Sequence, residues 1–204
     1  MNRWIVAVVA VLLLSVSLYF LFSQEPTITN YPPKEGPIIA FGDSLVAGVG
    51  APTGADFVTL LSRKINEPII QAGVPGNTTA DGLARVDEML LQNPRMVILL
   101  LGGNDYLRRI SKEETFSNLK HLIIRIQESG AVVVLLGVRG GILADGYETS
   151  FENLADEMHV VYVEDVLDGI FGNTTLMADG VHPNEKGYAL IAEKVYEEML
   201  SVLR

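Results

Sequence analysis

Five short runs of apolar residues, each followed by a longer segment with helical periodicity, restrict the fold of this chain more than any other feature of its sequence. Runs such as Val97–Leu101 and Val132–Leu136 are apolar at every position. A strand with one face in water alternates apolar and polar residues, whereas a strand covered on both faces does not. We therefore predict buried strands of a parallel sheet. Their ranges are Pro37–Phe41, Pro68–Ala72, Met96–Leu101, Ala131–Val138 and Val160–Val163.

Amphipathic segments of helical length connect these strands. In the last of them Tyr188, Ile191 and Val195 recur every three or four positions, as residues on one face of a helix do. Alternation of strands and helices predicts an α/β fold with three layers, in which helices cover both faces of a doubly wound parallel sheet of five strands. The predicted helices are Asp56–Ile65, Thr79–Leu91, Lys112–Ser129, Glu148–Met158 and Glu185 to the C-terminus.

The N-terminus carries the most hydrophobic segment, Ile5–Phe22, which only two serines interrupt. A helix of this length spans roughly 27 Å, close to the hydrocarbon thickness of a bilayer. Cleavage after Ser23 would place Leu21 at position −3, and cleavage after Ser17 would leave an apolar pentapeptide on the mature chain. We therefore predict an uncleaved transmembrane helix over residues 1–23 that anchors the rest of the chain outside the cytoplasm. A cleaved signal, giving a secreted or periplasmic protein, is the alternative.

The segment after the hydrophobic run has no apolar periodicity. Residues 24–36 contain three prolines, so we predict a linker there and a folded domain over residues 37–204. Removal of residues 1–30 is then expected to leave a soluble and active domain.

The composition excludes several classes of function. With 15 basic and 25 acidic residues the chain has a net charge of −10 and no basic run, which argues against a nucleic-acid partner. It has no cysteine, so disulfides, thiolate metal sites and cysteine nucleophiles are excluded.

Four polar segments lie in loops of the kind that hold the active sites of parallel-sheet proteins, at the carboxyl ends of the strands. Gly42–Leu45, Gly73–Asn77 and Gly102–Asp105 follow the first three predicted strands, and Asp179–Asn184 precedes the last helix. Each of them alone could be an ordinary turn or helix cap. Because the strands of a parallel sheet all end at the same edge, we expect the four segments to meet there.

Together these segments contain the parts of an acyl-transfer site. A serine hydroxyl such as that of Ser44 becomes a good nucleophile when a base accepts its proton, and His182 can be that base. Asp179, three residues earlier, can hold the far nitrogen of the imidazole. The backbone N–H groups of Ser44 and Gly76 and the side-chain amide of Asn104 could stabilise an oxyanion.

The four segments resemble the signature blocks of the GDSL/SGNH hydrolase superfamily, in the same order along the chain. The similarity extends over about residues 37–203. Gly82–Arg85 and Gly102–Arg108 further resemble the bacterial arylesterases of that superfamily, which are also called thioesterase I or lysophospholipase L1. The resemblance implies the flavodoxin-like SGNH hydrolase fold and a serine esterase.

The resemblance also implies a role for each site residue. Ser44 corresponds to the nucleophile, His182 to the base and Asp179 to its partner, while Gly76 and Asn104 correspond to oxyanion-hole residues. The sequence departs from the family pattern at none of these positions. The family implies no metal and no cofactor.

Apolar residues near the predicted site bear on the substrate. Val138, Ile142 and Leu143 in the loop after the fourth strand could form a wall for an acyl chain, with Tyr106 and Leu107 in the same groove. Ordinary loop packing explains these residues equally well. We expect a monomer that hydrolyses small acyl esters or lysophospholipids, and membrane attachment would favour lipid esters by proximity. The alternatives are an O-deacetylase of cell-envelope carbohydrates and an inactive envelope-binding module, although inactive copies typically lack the serine or the histidine.

Overall fold

The computed structural model describes Trp4 and residues 27–138 and 146–203. Each predicted strand and helix has a counterpart in it, and the strand boundaries differ by two residues at most. The strands are β1 (Ile38–Gly42), β2 (Ile69–Gly73), β3 (Met96–Leu100), β4 (Val132–Leu136) and β5 (Val161–Val163). The helices are α1 (Phe57–Ile65), α2 (Thr79–Leu90), α3 (Gly103–Leu107), α4 (Lys112–Glu128), α5 (Tyr147–Met158) and α6 (Glu185–Met199).

The five strands form one parallel sheet in the order β2-β1-β3-β4-β5. Every residue of β1, β3 and β4 is buried, because helices cover both faces of the sheet. Helix α1 packs against α6, and α4 packs against both α2 and α5. The prediction of an α/β fold with five parallel strands is therefore confirmed.

The order of the strands places a crevice at the centre of the sheet. The chain passes from β1 outward to β2 and then returns across β1 to β3, so the connections after β1 and β3 lead to opposite sides. Ligands of doubly wound sheets bind at this switch point, outside the carboxyl ends of the strands. The segments that follow β1 and β3 are two of the four predicted polar segments.

Helix α3 is an element that the sequence did not predict. Five residues are too few to show helical periodicity, and the segment was predicted only as a polar loop. Gly102 has a φ of +115°, a conformation that glycine adopts readily, and it turns the chain from β3 directly into the helix. Helix α3 carries Asn104, Tyr106 and Leu107 to the carboxyl-end edge of the sheet.

Residues 28–36 run along the opposite, amino-end edge of the sheet, and we call them the amino-edge strap. The N–H of Thr29 donates to the carbonyl oxygen of His159, just before β5 (2.9 Å). The side-chain amide of Asn30 donates to Gln127 and Ala131, on either side of the turn between α4 and β4 (2.8 and 3.1 Å). The strap therefore starts at the amino ends of β5 and β4.

Lys34 holds the C-terminal half of the strap. Its ammonium group donates to the carbonyl oxygen of Ser129 (2.7 Å) and to Oδ1 of Asn93, a few residues before β3 (2.6 Å). The described part of the predicted linker, residues 27–36, is thus bound to the domain instead of free. Missing periodicity predicted the irregular backbone, but it could not reveal hydrogen bonds to residues about 100 positions away. Removal of residues 1–30 would cut through the strap.

We expect the strap to contribute to stability. A chain that starts at residue 37 loses the hydrogen bonds of Thr29, Asn30 and Lys34, each worth about 1 kcal/mol before the entropy of ordering the strap is subtracted. Its free energy of unfolding should be about 1–3 kcal/mol below that of a chain starting at residue 27, as measured by urea denaturation. Equal stabilities of the two chains would mean that the strap behaves as a free linker.

The predicted membrane segment, Ile5–Phe22, lies outside the described residues. Within the part of the chain that the structure describes, no helix combines the length and the hydrophobicity needed to cross a bilayer.

Candidate active site

Ser44 stands in a tight turn directly after β1. Gly42 ends the strand, where an added Cβ would lie only 2.3 Å from the carbonyl oxygen of Leu100 in the neighbouring β3. The carboxylate of Asp43 then accepts the N–H of Leu45 (2.9 Å), which closes the turn around the serine. Ser44 is half-buried, and its hydroxyl lies 3.1 Å from Nε2 of His182.

The imidazole of His182 connects the serine to a carboxylate. Its Nδ1 lies 2.8 Å from Oδ2 of Asp179, which fixes the ring with Nε2 directed at Ser44. The other oxygen of Asp179 accepts the N–H groups of Val181 and His182 (2.8 and 2.7 Å). These hydrogen bonds, first that of the imidazole, lower the pKa of Asp179 to about 2. The carboxylate is therefore ionised at neutral pH.

Asn104, on α3, lies in the same site as Ser44 and His182. Its side-chain amide nitrogen lies 3.0 Å from the carbonyl oxygen of Asn77 and 3.3 Å from Oδ2 of Asp43. Gly76 follows β2 with a φ of +82°, and its carbonyl oxygen accepts a hydrogen bond from Arg108 (2.7 Å). The structure thus brings all five catalytic and oxyanion-hole candidates from the sequence to one edge of the sheet.

A cavity of about 310 Å³ opens at this edge. Tyr106, Leu107 and Val138, three of the five predicted substrate contacts, line it, whereas Ile142 and Leu143 lie outside the described residues. The polar residues Asp43, Ser44, Asn104 and His182 also line it, as do Gly76 and Gly103, and the remaining lining is apolar: Leu45, Val49, Pro75, Leu167, Phe171 and Val181. The cavity is therefore an apolar pocket with a small polar centre.

Leu167 and Phe171 were missed as pocket residues. They belong to the long segment between β5 and α6, which has no periodicity and no polar motif at their positions. Phe171 remains 43% exposed although its side chain is large and apolar. Exposed apolar side chains that join into a contiguous patch mark binding sites, but exposure is not visible in a single sequence.

One of the residues that line the cavity, Asp43, is a buried acidic residue. Only 4% of the residue is exposed, and this burial raises its pKa to about 6, although the N–H of Leu45 and the nearby His182 act in the opposite direction. From the sequence, Asp43 is expected only as part of a turn. Its burial depends on how β1 packs against its neighbours, which no local pattern records.

Arg85 of α2 holds together the two site loops that follow β1 and β2. Its guanidinium group donates to the carbonyl oxygens of Gly42 and Ala72 (2.7 and 3.1 Å) and to the side-chain oxygen of Asn77 (2.7 Å). It also lies over the ring of Phe41, 3.9 Å from the ring centre. Arg85 therefore ties the ends of β1 and β2 together. The sequence signalled this residue only through the resemblance of Gly82–Arg85 to the arylesterases.

Comparison with known proteins identifies the family. Residues 40–190 match the model of the GDSL-like lipase/acylhydrolase family. The chain belongs to this family. An arylesterase of Vibrio mimicus is 30% identical over 94% of this chain and 98% of its own length. The thioesterase 1/protease 1/lysophospholipase L1 of Escherichia coli K12 is 28% identical over 79% of this chain and 82% of its own length.

Solved structures of the GDSL family share the fold of this chain. The crystal structure of TesA superposes with a TM-score of 0.76 and 28% sequence identity, over 81% of this chain and 99% of the TesA chain. The predicted membership of the GDSL/SGNH superfamily is confirmed, and the chain is a carboxylic ester hydrolase of that superfamily.

Proposed function

We propose that this esterase works through Ser44 as nucleophile, His182 as base and Asp179 as the group that orients the imidazole. The observation that carries the proposal is the continuous line of hydrogen bonds from Ser44 through His182 to Asp179, with Ser44 and His182 in the lining of an apolar cavity. The serine oxygen attacks the ester carbonyl while Nε2 of His182 takes its proton. The imidazolium then protonates the departing alkoxide, and water releases the acyl group from the serine by the same steps.

Three donors stabilise the negative oxygen of the tetrahedral intermediate. They are the N–H groups of Ser44 and Gly76 and the side-chain amide of Asn104. Support comes from the position of all three residues in the cavity lining and from the 3.0 Å hydrogen bond that holds the Asn104 amide to Asn77. The second N–H of that amide, whose nitrogen lies 3.3 Å from Oδ2 of Asp43 in the free site, is the one that turns to the oxyanion. The backbone N–H groups of Ser44 and Gly76 belong to the chain itself and need little reorganisation when the charge develops.

The substrate is an acyl ester whose apolar chain fills the pocket, such as a short ester or a lysophospholipid. The apolar lining around Leu107, Val138, Leu167 and Phe171 supports this class, as do relatives named arylesterase and lysophospholipase. All groups of the site come from one chain, which supports activity as a monomer. The run Ile5–Phe22 supports a membrane anchor, with the domain outside the cytoplasm.

A series of nitrophenyl esters from acetyl to dodecanoyl tests this substrate class. Each buried methylene is worth about 0.8 kcal/mol, so kcat/KM should rise by up to about fourfold per added methylene until the pocket is full. Steady-state kinetics on each ester measure this slope. Activity confined to the acetyl ester would contradict the proposal and favour a carbohydrate O-deacetylase.

A matched pair of variants tests whether the pocket wall causes the rise of kcat/KM with acyl-chain length. Phe171→Ser removes an apolar wall and should lower the ratio of octanoyl to acetyl kcat/KM by about tenfold. Leu190→Ser is the control, because Leu190 lies on α6 outside the pocket lining and is 45% exposed, much as Phe171 is. An equal effect of both substitutions would show that the pocket wall does not select the acyl chain.

A further inference from the structure

The active site and the start of the folded domain lie at opposite edges of the sheet. The site lies at the carboxyl ends of β1 and β3, where Ser44 and Asn104 stand. The chain enters the domain at the other edge, where the amino-edge strap binds Thr29 to His159 before β5. The strap then crosses the amino ends of β4 and β3 before β1 begins. The chain that precedes residue 27 is therefore attached at the amino-end edge of the sheet, opposite the site.

The segment between the apolar run and Thr29, residues 23–28, is called the tether, and its length is too small to compensate for this placement. Seven residue steps separate Phe22, the last residue of the apolar run, from Thr29, the first of the described residues with a hydrogen bond to the domain, and they span at most about 25 Å. A domain of roughly 170 residues is about 40 Å across. The tether would have to pass around the domain for the cavity to reach the bilayer, and it covers only part of that distance.

We propose that the active-site cavity faces away from the bilayer that holds the N-terminal segment, so the enzyme takes its acyl esters from outside that bilayer. The proposal rests on the proposed function, because it assumes both the membrane anchor and esterase activity at Ser44. It reverses the expectation that membrane attachment favours lipid esters by proximity. The substrates are esters in solution or on a facing surface, and lipids of the anchoring leaflet are excluded by geometry.

Kinetics of the full chain in phosphatidylcholine vesicles test the proposal. One substrate is umbelliferyl hexanoate in solution, and the other is umbelliferyl stearate embedded in the same vesicles. The variant carries 30 Gly/Ser residues between residues 26 and 27, a flexible spacer with a mean length of about 30 Å that lets the domain turn over. We expect equal rates on the soluble ester and at least tenfold faster hydrolysis of the embedded ester by the variant.

The two assays distinguish an error in the proposed orientation from an error in the proposed function. Equal rates of the two chains on the embedded ester would overturn the proposed orientation. Failure of both chains to hydrolyse the soluble ester would instead overturn the proposed function, and the orientation then has its own test. That test uses the absence of cysteine, because a single introduced cysteine carries the only label on the chain.

Fluorescence quenching measures the orientation directly. Leu91→Cys places a label at the amino-end edge, before β3, where the side chain is 85% exposed. Val74→Cys places the label at the carboxyl-end edge, after β2, where the side chain is 41% exposed. In vesicles with nitroxide-labelled headgroups, the label at position 91 should be quenched several-fold more strongly. Equal quenching at both positions, including none at either, would overturn the proposal.

Discussion

Replacement of Ser44 by alanine should lower kcat by about 10⁵–10⁶-fold and abolish covalent labelling by a fluorophosphonate. The hydroxyl of Ser44 is the group that forms the acyl-enzyme, and an alanine methyl cannot replace it. The fold should survive, because Ser44 stands in a loop and its hydroxyl contacts His182 in the cavity lining. Ester hydrolysis, probe labelling and thermal unfolding of the same preparation measure the three effects.

Ser201→Ala is the matched control for this substitution. Ser201 is exposed after α6, at the amino-end edge, and its hydroxyl donates to the carbonyl oxygen of Glu198. Its loss should leave kcat and probe labelling unchanged. Turnover of a nitrophenyl ester by Ser44→Ala near the wild-type rate, or labelling of that variant at the wild-type rate, would show that Ser44 is not the nucleophile.

The fold could be predicted from the sequence wherever the signal was local and repeated. Strands β3 and β4 are apolar at every position because helices cover both faces, and α6 shows its buried face as a stripe from Tyr188 to Val195. Helix α3 and the amino-edge strap carry no such signal. Five residues give no period, and the strap is held by single side chains such as Lys34 that bind distant carbonyl groups.

The polar centre of the site was predictable for a topological reason. Parallel strands end at one edge, so segments far apart in sequence, such as those of Ser44 and His182, converge there. The walls of the cavity depend on loop conformation instead. Phe171 enters the lining from a segment without regular structure, and Asp43 acquires its raised pKa of about 6 from burial. Neither property follows from residue type.

Asn104→Ala should lower kcat by about 10²–10³-fold with little change in KM. The amide of Asn104 is one of three proposed oxyanion donors, and its contribution arises only when negative charge develops on the substrate oxygen. Ser44 and His182 remain in place, so fluorophosphonate labelling should persist at a reduced rate. Steady-state kinetics on a nitrophenyl ester give kcat and KM separately.

Two results decide whether Asn104 acts on the reacting oxygen or only holds the loops. The amide also bonds Asn77 and Asp43, so its loss could disturb the site without any role in the reaction. A structural role predicts a raised KM and a lower temperature of unfolding, whereas an oxyanion donor predicts a loss confined to kcat. Asn153→Ala, on the exposed surface of α5, is the control and should match the wild type. Wild-type kcat in Asn104→Ala would remove Asn104 from the oxyanion hole and leave the N–H groups of Ser44 and Gly76 as its donors.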